Sequence, residues 1–342
     1  MGDGVNNTLY LSSGYLNIPA IFNDKSVFNF IIGARGIGKS YGALKYCIEN
    51  KLKFMYLRRT QKHTDIINKE KYSPLKSVCD DMGAEYNHVT SAKGSVEMYV
   101  NGESVGFTGA LSTFASMRSF DMSEIEVIIY DEFIPEVSER VTISHEFEAF
   151  MNMYETVNRN RELKGRQPVK LLALANSNRI DNKIFLGLRI VNVIDGMYNR
   201  GQEVWRDGNR SIAVYCIMRS PISQKKADTA LYRFAKGTDF DEMALNNSFR
   251  VDTSDVLKRS LKEFKPVVNI GELCVYRHKS RPLVYISTRT AAGSAPNYGV
   301  TENELNRFKK DFTGVVMKAT LGLVEYENIT AKTLFKSYLT NS

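Results

Sequence analysis

A strand, a glycine-rich loop and a helix follow one another near the start of this 342-residue chain and constrain its fold more than any other stretch. Phe28-Asn-Phe-Ile-Ile predicts a buried strand, and a helix is predicted from Ser40 onward. The glycines and the Lys-Ser pair between them have the spacing of a P-loop. Backbone N–H groups in such a loop form an anion nest, and the helix adds its positive dipole end. The predicted nucleotide-binding residues are Gly33, Ala34, Arg35, Gly36, Ile37, Gly38, Lys39, Ser40 and Tyr41.

Two side chains at the end of this loop carry the charge chemistry. Lys39 supplies a cation for the β- and γ-phosphates, and the Ser40 hydroxyl is a candidate Mg²⁺ ligand. The bare spacing also arises by chance in ordinary strand–turn–helix units, but the strand before it and the helix after it favour nucleotide binding. We therefore expect ATP and Mg²⁺ as cofactors.

A second apolar strand ends in two consecutive carboxylates. Glu126-Val-Ile-Ile-Tyr130 is followed by Asp131 and Glu132, the arrangement of a Walker B site. Asp131 is predicted to hold Mg²⁺ with Ser40, and Glu132 to orient and polarise the attacking water. Strands often end in charged turns, so the carboxylate pair alone is weak evidence for a Walker B site. The P-loop that precedes it makes the evidence strong. Together the two motifs predict ATP hydrolysis, with Lys39 and Glu132 as catalytic residues.

Other polar residues follow predicted elements of the same domain. A helix predicted from Ser144 to Glu162 ends in Asn-Arg-Asn-Arg, which makes Arg159 a candidate arginine finger and Arg161 a second candidate. Cations at a helix C-terminus also interact favourably with the helix dipole, which would explain both arginines without a catalytic role. Asn176 follows the strand Val169–Ala175 and is a candidate γ-phosphate sensor, although Asn is also a common turn residue.

The order of these motifs predicts the fold class. A P-loop, a Walker B strand and then a strand with a polar sensor indicate an α/β P-loop ATPase of the additional-strand (ASCE) class. Lys53–Leu57 is predicted to be a strand whose end places Arg58 or Arg59 where phosphate or DNA binds. Strands on either side of Asn101-Gly102 predict an antiparallel hairpin that decorates the parallel core.

Composition limits the cellular setting. The chain is 43% hydrophobic and 25% charged, which is typical of globular proteins. It has no apolar run of membrane-spanning length and no signal-peptide pattern at its start. The four cysteines and four histidines are scattered along the sequence. This spacing indicates neither a zinc site nor a disulfide framework. We expect a cytoplasmic protein without a membrane partner.

Charge divides the chain unevenly. There are 25 Lys and Arg against 24 Asp and Glu up to Arg206, and 21 against 14 after it. We predict an ATPase domain at 1–205, a linker subdomain at 206–252 and a C-terminal domain at 253–342, where three strands precede helices. The excess of cations there suits a polyanionic partner, or a solvated basic face. Candidate nucleic-acid contacts are Arg277, Lys279, Arg281 and Arg289.

Several stretches resemble the DNA-packaging ATPases of phi-twenty-nine-like phages, which are terminase-like motors. The resemblance is carried by the P-loop, by Tyr56-Leu-Arg-Arg59, by Tyr130-Asp-Glu-Phe-Ile134, by Thr156-Val-Asn-Arg-Asn-Arg-Glu162 and by Gly237–Phe249. It implies a homopentameric ring on the portal of a prohead, which drives double-stranded DNA inward and contacts a prohead RNA. The resemblance also implies that the protein acts in the host cytoplasm, attaches transiently to the prohead and is absent from the mature virion.

The resemblance assigns further roles. Arg159 matches the family's arginine finger, while the family's interface lysine falls on Gln61, with Lys62 one residue later. The family's C-terminal domain is RNase H-like and a vestigial nuclease. Because two-metal nucleases need several converging carboxylates and the predicted strands carry only Glu272, we expect no nuclease activity here.

The sequence therefore predicts a viral ATPase motor that translocates double-stranded DNA into a prohead. Two alternatives stay open at this point. One is a nucleic-acid-binding ATP switch with negligible turnover, and the other is a helicase-like or AAA-type remodeller. Stimulation of ATP hydrolysis by proheads would separate the motor from both.

Overall fold

A computed structural model describes residues 9–91, 94–135, 143–176, 179–238, 253–293 and 295–340. The strands are β1 Phe28–Gly33, β2 Phe54–Arg58, β3 Tyr86–Thr90, β4 Val96–Val100, β5 Glu103–Ala110, β6 Val127–Asp131, β7 Lys170–Ala175, β8 Val204–Asp207, β9 Ile212–Ile217, β10 Phe264–Ile270, β11 Leu273–His278, β12 Val284–Ser287, β13 Asn297–Tyr298 and β14 Val324–Tyr326.

The α-helices are α1 Ile18–Phe22, α2 Lys39–Glu49, α3 Gln61–Ile67, α4 Pro74–Met82, α5 Glu146–Asn158, α6 Lys183–Gly187, α7 Val191–Asn199, α8 Pro221–Ala227, α9 Ala230–Phe234, α10 Glu302–Asp311, α11 Thr313–Thr320 and α12 Ile329–Thr340. Short 3-10 helices lie at Glu70–Tyr72, Leu111–Met117, Glu162–Lys164, Gly208–Arg210 and Leu261–Glu263. No described helix combines the length and apolarity that a bilayer span requires.

The chain divides into two compact units. The first comprises Met1–Arg179 and Met197–Phe249, and the second comprises Ile180–Gly196 and Arg250–Ser342. Residues 180–196, which lie within the predicted ATPase domain at 1–205, therefore fall in the second unit. There Arg189 pairs with Glu272, and Asn192 accepts a hydrogen bond from the backbone of Thr330. The predicted boundaries at 205/206 and 252/253 stay predictions, and most of 237–249 lies outside the described residues.

The first unit is built on one nine-stranded sheet. Its order is β3-β4-β5-β2-β6-β7-β1-β9-β8, and the six strands from β5 to β9 pair in parallel. β7 lies between the P-loop strand β1 and the Walker B strand β6, which is the additional strand that the motif order predicts. The central strands are apolar and buried along nearly their whole length, because helices cover both faces of a parallel sheet.

The predicted hairpin is confirmed at one side of this sheet. β4 and β5 pair antiparallel around Asn101-Gly102, and β5 also pairs in parallel with β2. A Cβ at Gly106 would collide with the Phe54 carbonyl oxygen, and its φ of 134° is one that side chains rarely adopt. Glycine is therefore required where β5 approaches β2. The hairpin thus extends the parallel core in the same sheet.

The helix predicted from Ser144 to Glu162 is shorter than expected. α5 spans Glu146–Asn158 and is followed by two residues with left-handed backbone, Arg159 at φ 42° and Asn160 at φ 56°. Two successive left-handed residues cannot continue a right-handed helix, so the chain turns away at Arg159.

The second unit contains a five-stranded sheet of order β13-β10-β11-β12-β14. β10, β11 and β12 form an antiparallel meander, whereas β13 and β14 pair in parallel at its edges. An apolar cluster joins this sheet to α10, α11 and α12. The predicted order of three strands followed by helices is confirmed, and β13 and β14 are additional strands.

Candidate functional site

The predicted site residues lie at one edge of the nine-stranded sheet. β1 runs into the P-loop, β2 ends at Arg58, β6 ends at Asp131 and β7 ends just before Asn176. All four strands are parallel neighbours, so their carboxyl ends meet. In open α/β sheets this is the edge where ligands bind.

Lys39 is buried within its own loop. Only 5% of the residue is exposed, and its Nζ donates to the carbonyl oxygens of Gly33 and Ala34, both at 2.8 Å, and to Asn176 Oδ1 at 2.9 Å. Burial lowers the pKa of the Lys39 ammonium to about 7, and the charge of Asp131 opposes that shift. A bound anion would raise the pKa of this ammonium again and so favour its charged form.

The amino end of α2 is open for an anion. Gly38 caps the helix with a left-handed backbone and offers no side-chain hydrogen bond. The first N–H groups of α2 thus have no capping side chain, and they lie at the positive end of the helix dipole. This is the loop-and-helix arrangement that binds phosphate.

Ser40 and Asp131 meet as the two motifs predict. Ser40 Oγ donates to Asp131 Oδ1 at 3.0 Å, and the Tyr56 hydroxyl donates to Asp131 Oδ2. Mg²⁺ prefers oxygen ligands, and it is commonly bound by one or two protein oxygens together with phosphate and water. The Ser40 hydroxyl and Asp131 carboxylate fit that ion, and they would hold it against the phosphates. No cluster of three or more acidic, His or Cys side chains suited to a metal occurs among the described residues.

Glu132 occupies a strained position beside them. Its φ is 54°, in the left-handed region, and its carboxylate pairs with Arg58 while Oε1 accepts from Asn176 Nδ2 at 3.5 Å. A non-glycine residue in that conformation has to be held by its surroundings, and such residues cluster at active sites. Lys39, Asn176 and Glu132 thus form one connected network.

Arg58 and Arg59 have separate partners. Arg58 contacts Asp131 Oδ2 at 3.4 Å as well as Glu132, which places it inside the site. Arg59 is buried and makes a two-pronged ion pair with Glu146, at 2.7 and 3.1 Å. Arg59 therefore does not face phosphate or DNA as the strand-end argument allowed, because this pair ties β2 to the start of α5.

Arg58 was one of the two arginines predicted to lie where phosphate or DNA binds, whereas Tyr56 was not predicted to belong to the site. Tyr56 is fully buried, and burial together with Asp131 raises the pKa of its hydroxyl well above the ordinary range, so it stays a donor. Alternate residues of a strand share a face. That rule places Tyr56 beside Arg58 at the carboxyl end of β2, and it is the signal that could have identified Tyr56.

The two candidate finger residues differ in exposure. The Arg159 side chain is 44% exposed, donates to the Phe120 carbonyl oxygen at 2.9 Å and lies 3.9 Å from Asp121. Its described contacts thus do not include the P-loop or the carboxylate pair. Arg161 is buried and donates to the Ser123 carbonyl oxygen at 2.7 Å. A buried guanidinium cannot reach another subunit in this conformation, so the structure does not present Arg161 as a finger.

Gln61 and Lys62, the two residues at the position of the family's interface lysine, differ in their contacts. Gln61 donates to Asp65 and to the Gly94 carbonyl oxygen, and it accepts from Thr113. Lys62, the next residue of α3, is exposed. Gln61 is therefore committed within the subunit, whereas Lys62 is available at the surface.

A cavity of about 670 Å³ opens beside the P-loop. Gly36, Gly38 and Tyr41 line it together with Tyr15 and Asp81, among other residues. It is large enough for a nucleoside. Tyr41, a residue that is 39% exposed, thus lines this cavity.

The four basic candidates of the second unit are not equivalent. Arg277 and Arg281 are exposed, and Arg277 lies directly opposite Lys265 in the β10–β11 pairing. Like charges facing each other across strands are unfavourable unless an anion neutralises them. Lys279 donates to the Lys262 carbonyl oxygen, and Arg289 forms an ion pair with Glu327 at 2.6 Å.

The second unit has more carboxylates on or beside its sheet than the single Glu272 that was predicted. Glu325 lies on β14, which was not predicted, and Glu327 follows it. Each has a cationic partner, because Arg259 pairs with Glu325 and Arg289 with Glu327, and Lys332 pairs with Asp255 at 2.5 Å. The premise that Glu272 stands alone is therefore wrong, and salt bridges occupy these three carboxylates.

Comparison with known proteins identifies the family. Residues 11–322 match the family model described as podovirus DNA encapsidation protein (Gp16). The chain belongs to this family. The predicted resemblance to packaging ATPases of phi29-like phages is thereby confirmed.

Individual relatives of this Gp16-family chain agree with that assignment. The DNA packaging protein of Bacillus phage phi29 is 28% identical over 301 residues, which cover 85% of this chain and 84% of the relative. The DNA packaging protein of Bacillus phage B103 is 28% identical over 288 residues, covering 82% and 83%.

Two solved structures share the fold across nearly the whole chain. The phi-28 gp11 DNA packaging motor has a TM-score of 0.69 at 15% identity and covers 97% of this chain and 99% of its own. The phi-29 viral genome packaging motor assembly has a TM-score of 0.67 at 19% identity, with coverage of 96% and 98%. This Gp16-family chain thus has the fold of proteins from both assemblies.

Proposed function

We propose that this Gp16-family chain is the ATPase of a phage packaging motor, which hydrolyses ATP to move double-stranded DNA into a preformed prohead. The observation that carries the proposal is the connected set at the sheet edge, where Ser40 meets Asp131 and Lys39 meets Asn176 beside Glu132. The P-loop and Lys39 bind the phosphates, and the adjacent cavity accommodates the nucleoside. Ser40 and Asp131 hold Mg²⁺, whose chemistry is to neutralise charge on the transferred phosphoryl group.

Glu132→Gln tests this assignment. The variant is expected to bind ATP normally but to hydrolyse it at least about a hundredfold more slowly, because the amide cannot polarise the attacking water. Binding is measured with a fluorescent ATP analogue, and turnover by phosphate release in the presence of proheads. Glu124→Gln is the control, since that exposed carboxylate precedes β6 and pairs with Lys53. Near-normal turnover in Glu132→Gln would assign water positioning to another residue.

One observation favours an ATP-binding switch as the second candidate. The Glu132 carboxylate is paired with Arg58 in this conformation, so its charge is already compensated. A switch with negligible turnover would keep that pair in every state. Prohead-stimulated hydrolysis by the wild-type chain would reject the switch, and nucleotide binding without such hydrolysis would favour it.

The exposed position of Arg159 and the family membership support a proposal for the assembly. We propose a homomeric ring, most simply a pentamer, in which Arg159 of one subunit reaches the nucleotide of the next. Lys62 is proposed as the interface lysine. The ring is proposed to act in the host cytoplasm on the portal of the prohead, to contact a prohead RNA, and to leave before the virion matures.

The second unit is proposed to be an RNase H-like nucleic-acid-binding domain without nuclease activity. Its antiparallel meander with parallel strands added at the edges and helices on the sheet supports the fold assignment. The pairing of Asp255, Glu325 and Glu327 with cations supports the absence of cleavage, because two-metal nucleases need carboxylates free to bind metal.

Arg277 and Arg281 are expected to contact phosphates without sequence preference. Removing both as Arg277→Gln and Arg281→Gln should flatten the dependence of log affinity for duplex DNA on log salt by about two units, since each contact contributes about 0.9. ATP binding should stay unchanged. Arg289→Gln is the matched control and should leave the slope nearly the same, because Glu327 already neutralises that arginine. Binding that is insensitive to salt would contradict the assignment.

A further inference from the structure

A lysine of the first unit that is about 190 residues from the P-loop in sequence contacts it in the fold. Lys226 lies near the end of α8, whose start is capped by the Ser220 hydroxyl. Its Nζ donates to the carbonyl oxygen of Arg35 at 2.9 Å and to that of Gly36 at 3.0 Å. The side chain is half-buried, and this burial lowers the pKa of its ammonium below the ordinary range.

The loop is shaped to receive this ammonium. Gly36 has a φ of 71°, and a Cβ built there would collide with Lys226 Nζ. A side chain at position 36 would therefore both strain the backbone and displace the lysine. Two backbone hydrogen bonds and a glycine without steric bulk make the contact specific to this place on the loop.

Peptide geometry connects the contact to phosphate binding. In a trans peptide the C=O and the N–H point to opposite sides of the chain. Because Lys226 holds the carbonyls of Arg35 and Gly36, the N–H groups of Gly36 and Ile37 are directed to the opposite side. Inward-directed N–H groups are what make the loop an anion nest.

We propose that Lys226 is a positioning residue that holds the P-loop backbone in its phosphate-binding conformation and thereby couples α8 to occupancy of the nucleotide site. The proposal rests on the proposed ATPase function. It assigns Lys226 no contact with ATP. Its cation also strengthens the positive field at the nest, since it lies on the loop that receives the phosphates.

Lys226→Met and Lys225→Met form a matched pair. Lys225 is the preceding residue of the same helix, and within the described part of the chain its hydrogen bond is a 3.5 Å contact with the Ser13 carbonyl oxygen at the surface. Lys226→Met is expected to weaken binding of a non-hydrolysable ATP analogue with Mg²⁺ about tenfold, the scale of losing hydrogen bonds from a charged group. KM for ATP should rise about tenfold while kcat changes less than about twofold. Lys225→Met should match the wild type in both, and Lys226→Arg should recover most of the affinity.

A double-mutant cycle gives a second, independent measurement. Gly36→Ala should weaken analogue binding, partly by displacing Lys226. Adding Lys226→Met to Gly36→Ala should therefore cost much less affinity than Lys226→Met costs alone, a coupling expected of residues in contact. Purely additive losses would overturn the proposal, and Lys226→Gln takes the place of Lys226→Met in the cycle if Lys226→Met does not fold.

The possible results distinguish failure of the Lys226 proposal from failure of the proposed ATPase function. Wild-type affinity in Lys226→Met, with normal binding in the wild type and Lys225→Met, would overturn the positioning role and leave the ATPase assignment intact. A fall in kcat without a rise in KM would also overturn it, because positioning the nest acts on binding. Absence of ATP binding in the wild-type chain would overturn the proposed function and this inference with it.

Discussion

Arg159→Ala is expected to bind ATP with wild-type affinity but to lose about a thousandfold or more in turnover, the scale of removing an arginine finger. The expectation rests on where the side chain lies. Arg159 is half-exposed, follows α5 in a left-handed conformation and contacts Phe120 and Asp121, whereas the P-loop and carboxylate pair lie at the edge of the sheet. A guanidinium so placed is suited to the site of a neighbouring subunit rather than its own.

Subunit mixing tests whether Arg159 acts in trans. Arg159→Ala supplies an intact Glu132, and Glu132→Gln supplies an intact Arg159. Mixed rings should therefore contain interfaces that join both residues and should regain part of the prohead-stimulated hydrolysis. Arg166→Ala is the matched control, because Arg166 is exposed and likewise donates to a loop carbonyl oxygen, that of Ser123 at 3.2 Å. A lack of recovery at every mixing ratio would place Arg159 in cis.

Local motifs explain why the nucleotide site could be predicted from sequence. The P-loop is one continuous stretch whose glycines, Lys39 and Ser40 act through backbone geometry set within a few residues. Asp131 and Glu132 end an apolar strand, and parallel strands bring their carboxyl ends together. The contacts of Ser40 with Asp131 and of Lys39 with Asn176 follow from those two rules.

Side-chain partners that are distant in sequence could not be predicted in the same way. Lys226 contacts carbonyls about 190 positions earlier in the chain, and no local pattern distinguishes it from the other lysines of the sequence. Arg59 has the sequence position of a phosphate ligand, but the structure shows that it is buried and paired with Glu146. Arg161 likewise shares a tetrapeptide with Arg159, yet only the fold shows that one is buried and the other exposed.

Backbone conformation adds information that residue type does not carry. Glu132 and Arg159 both have positive φ, although neither is a residue type that favours the left-handed region. At Glu132 this conformation directs the carboxylate to Arg58 and Asn176 rather than along the strand. At Arg159 it ends α5 early. Both departures from regular structure fall on residues proposed for catalysis, where local strain is tolerated.

Lys39→Ala is expected to abolish measurable ATP binding. The loop would lose the ammonium that the Gly33 and Ala34 carbonyls and Asn176 hold in place, and its N–H nest would face the phosphates without that cation. Charge-assisted hydrogen bonds to two phosphates account for at least about a hundredfold in affinity.

The comparison for Lys39→Ala is Lys76→Ala, which removes an exposed lysine paired with Asp80 on α4. Equilibrium binding of a fluorescent ATP analogue with Mg²⁺ gives the affinities, and thermal melts check that both variants fold. Lys76→Ala should bind as the wild type does. An unchanged affinity in folded Lys39→Ala would contradict the P-loop assignment itself. Loss of binding in Lys39→Ala, set beside retained binding in Glu132→Gln and Arg159→Ala, would instead show that phosphate binding and catalysis depend on different residues of the same sheet edge.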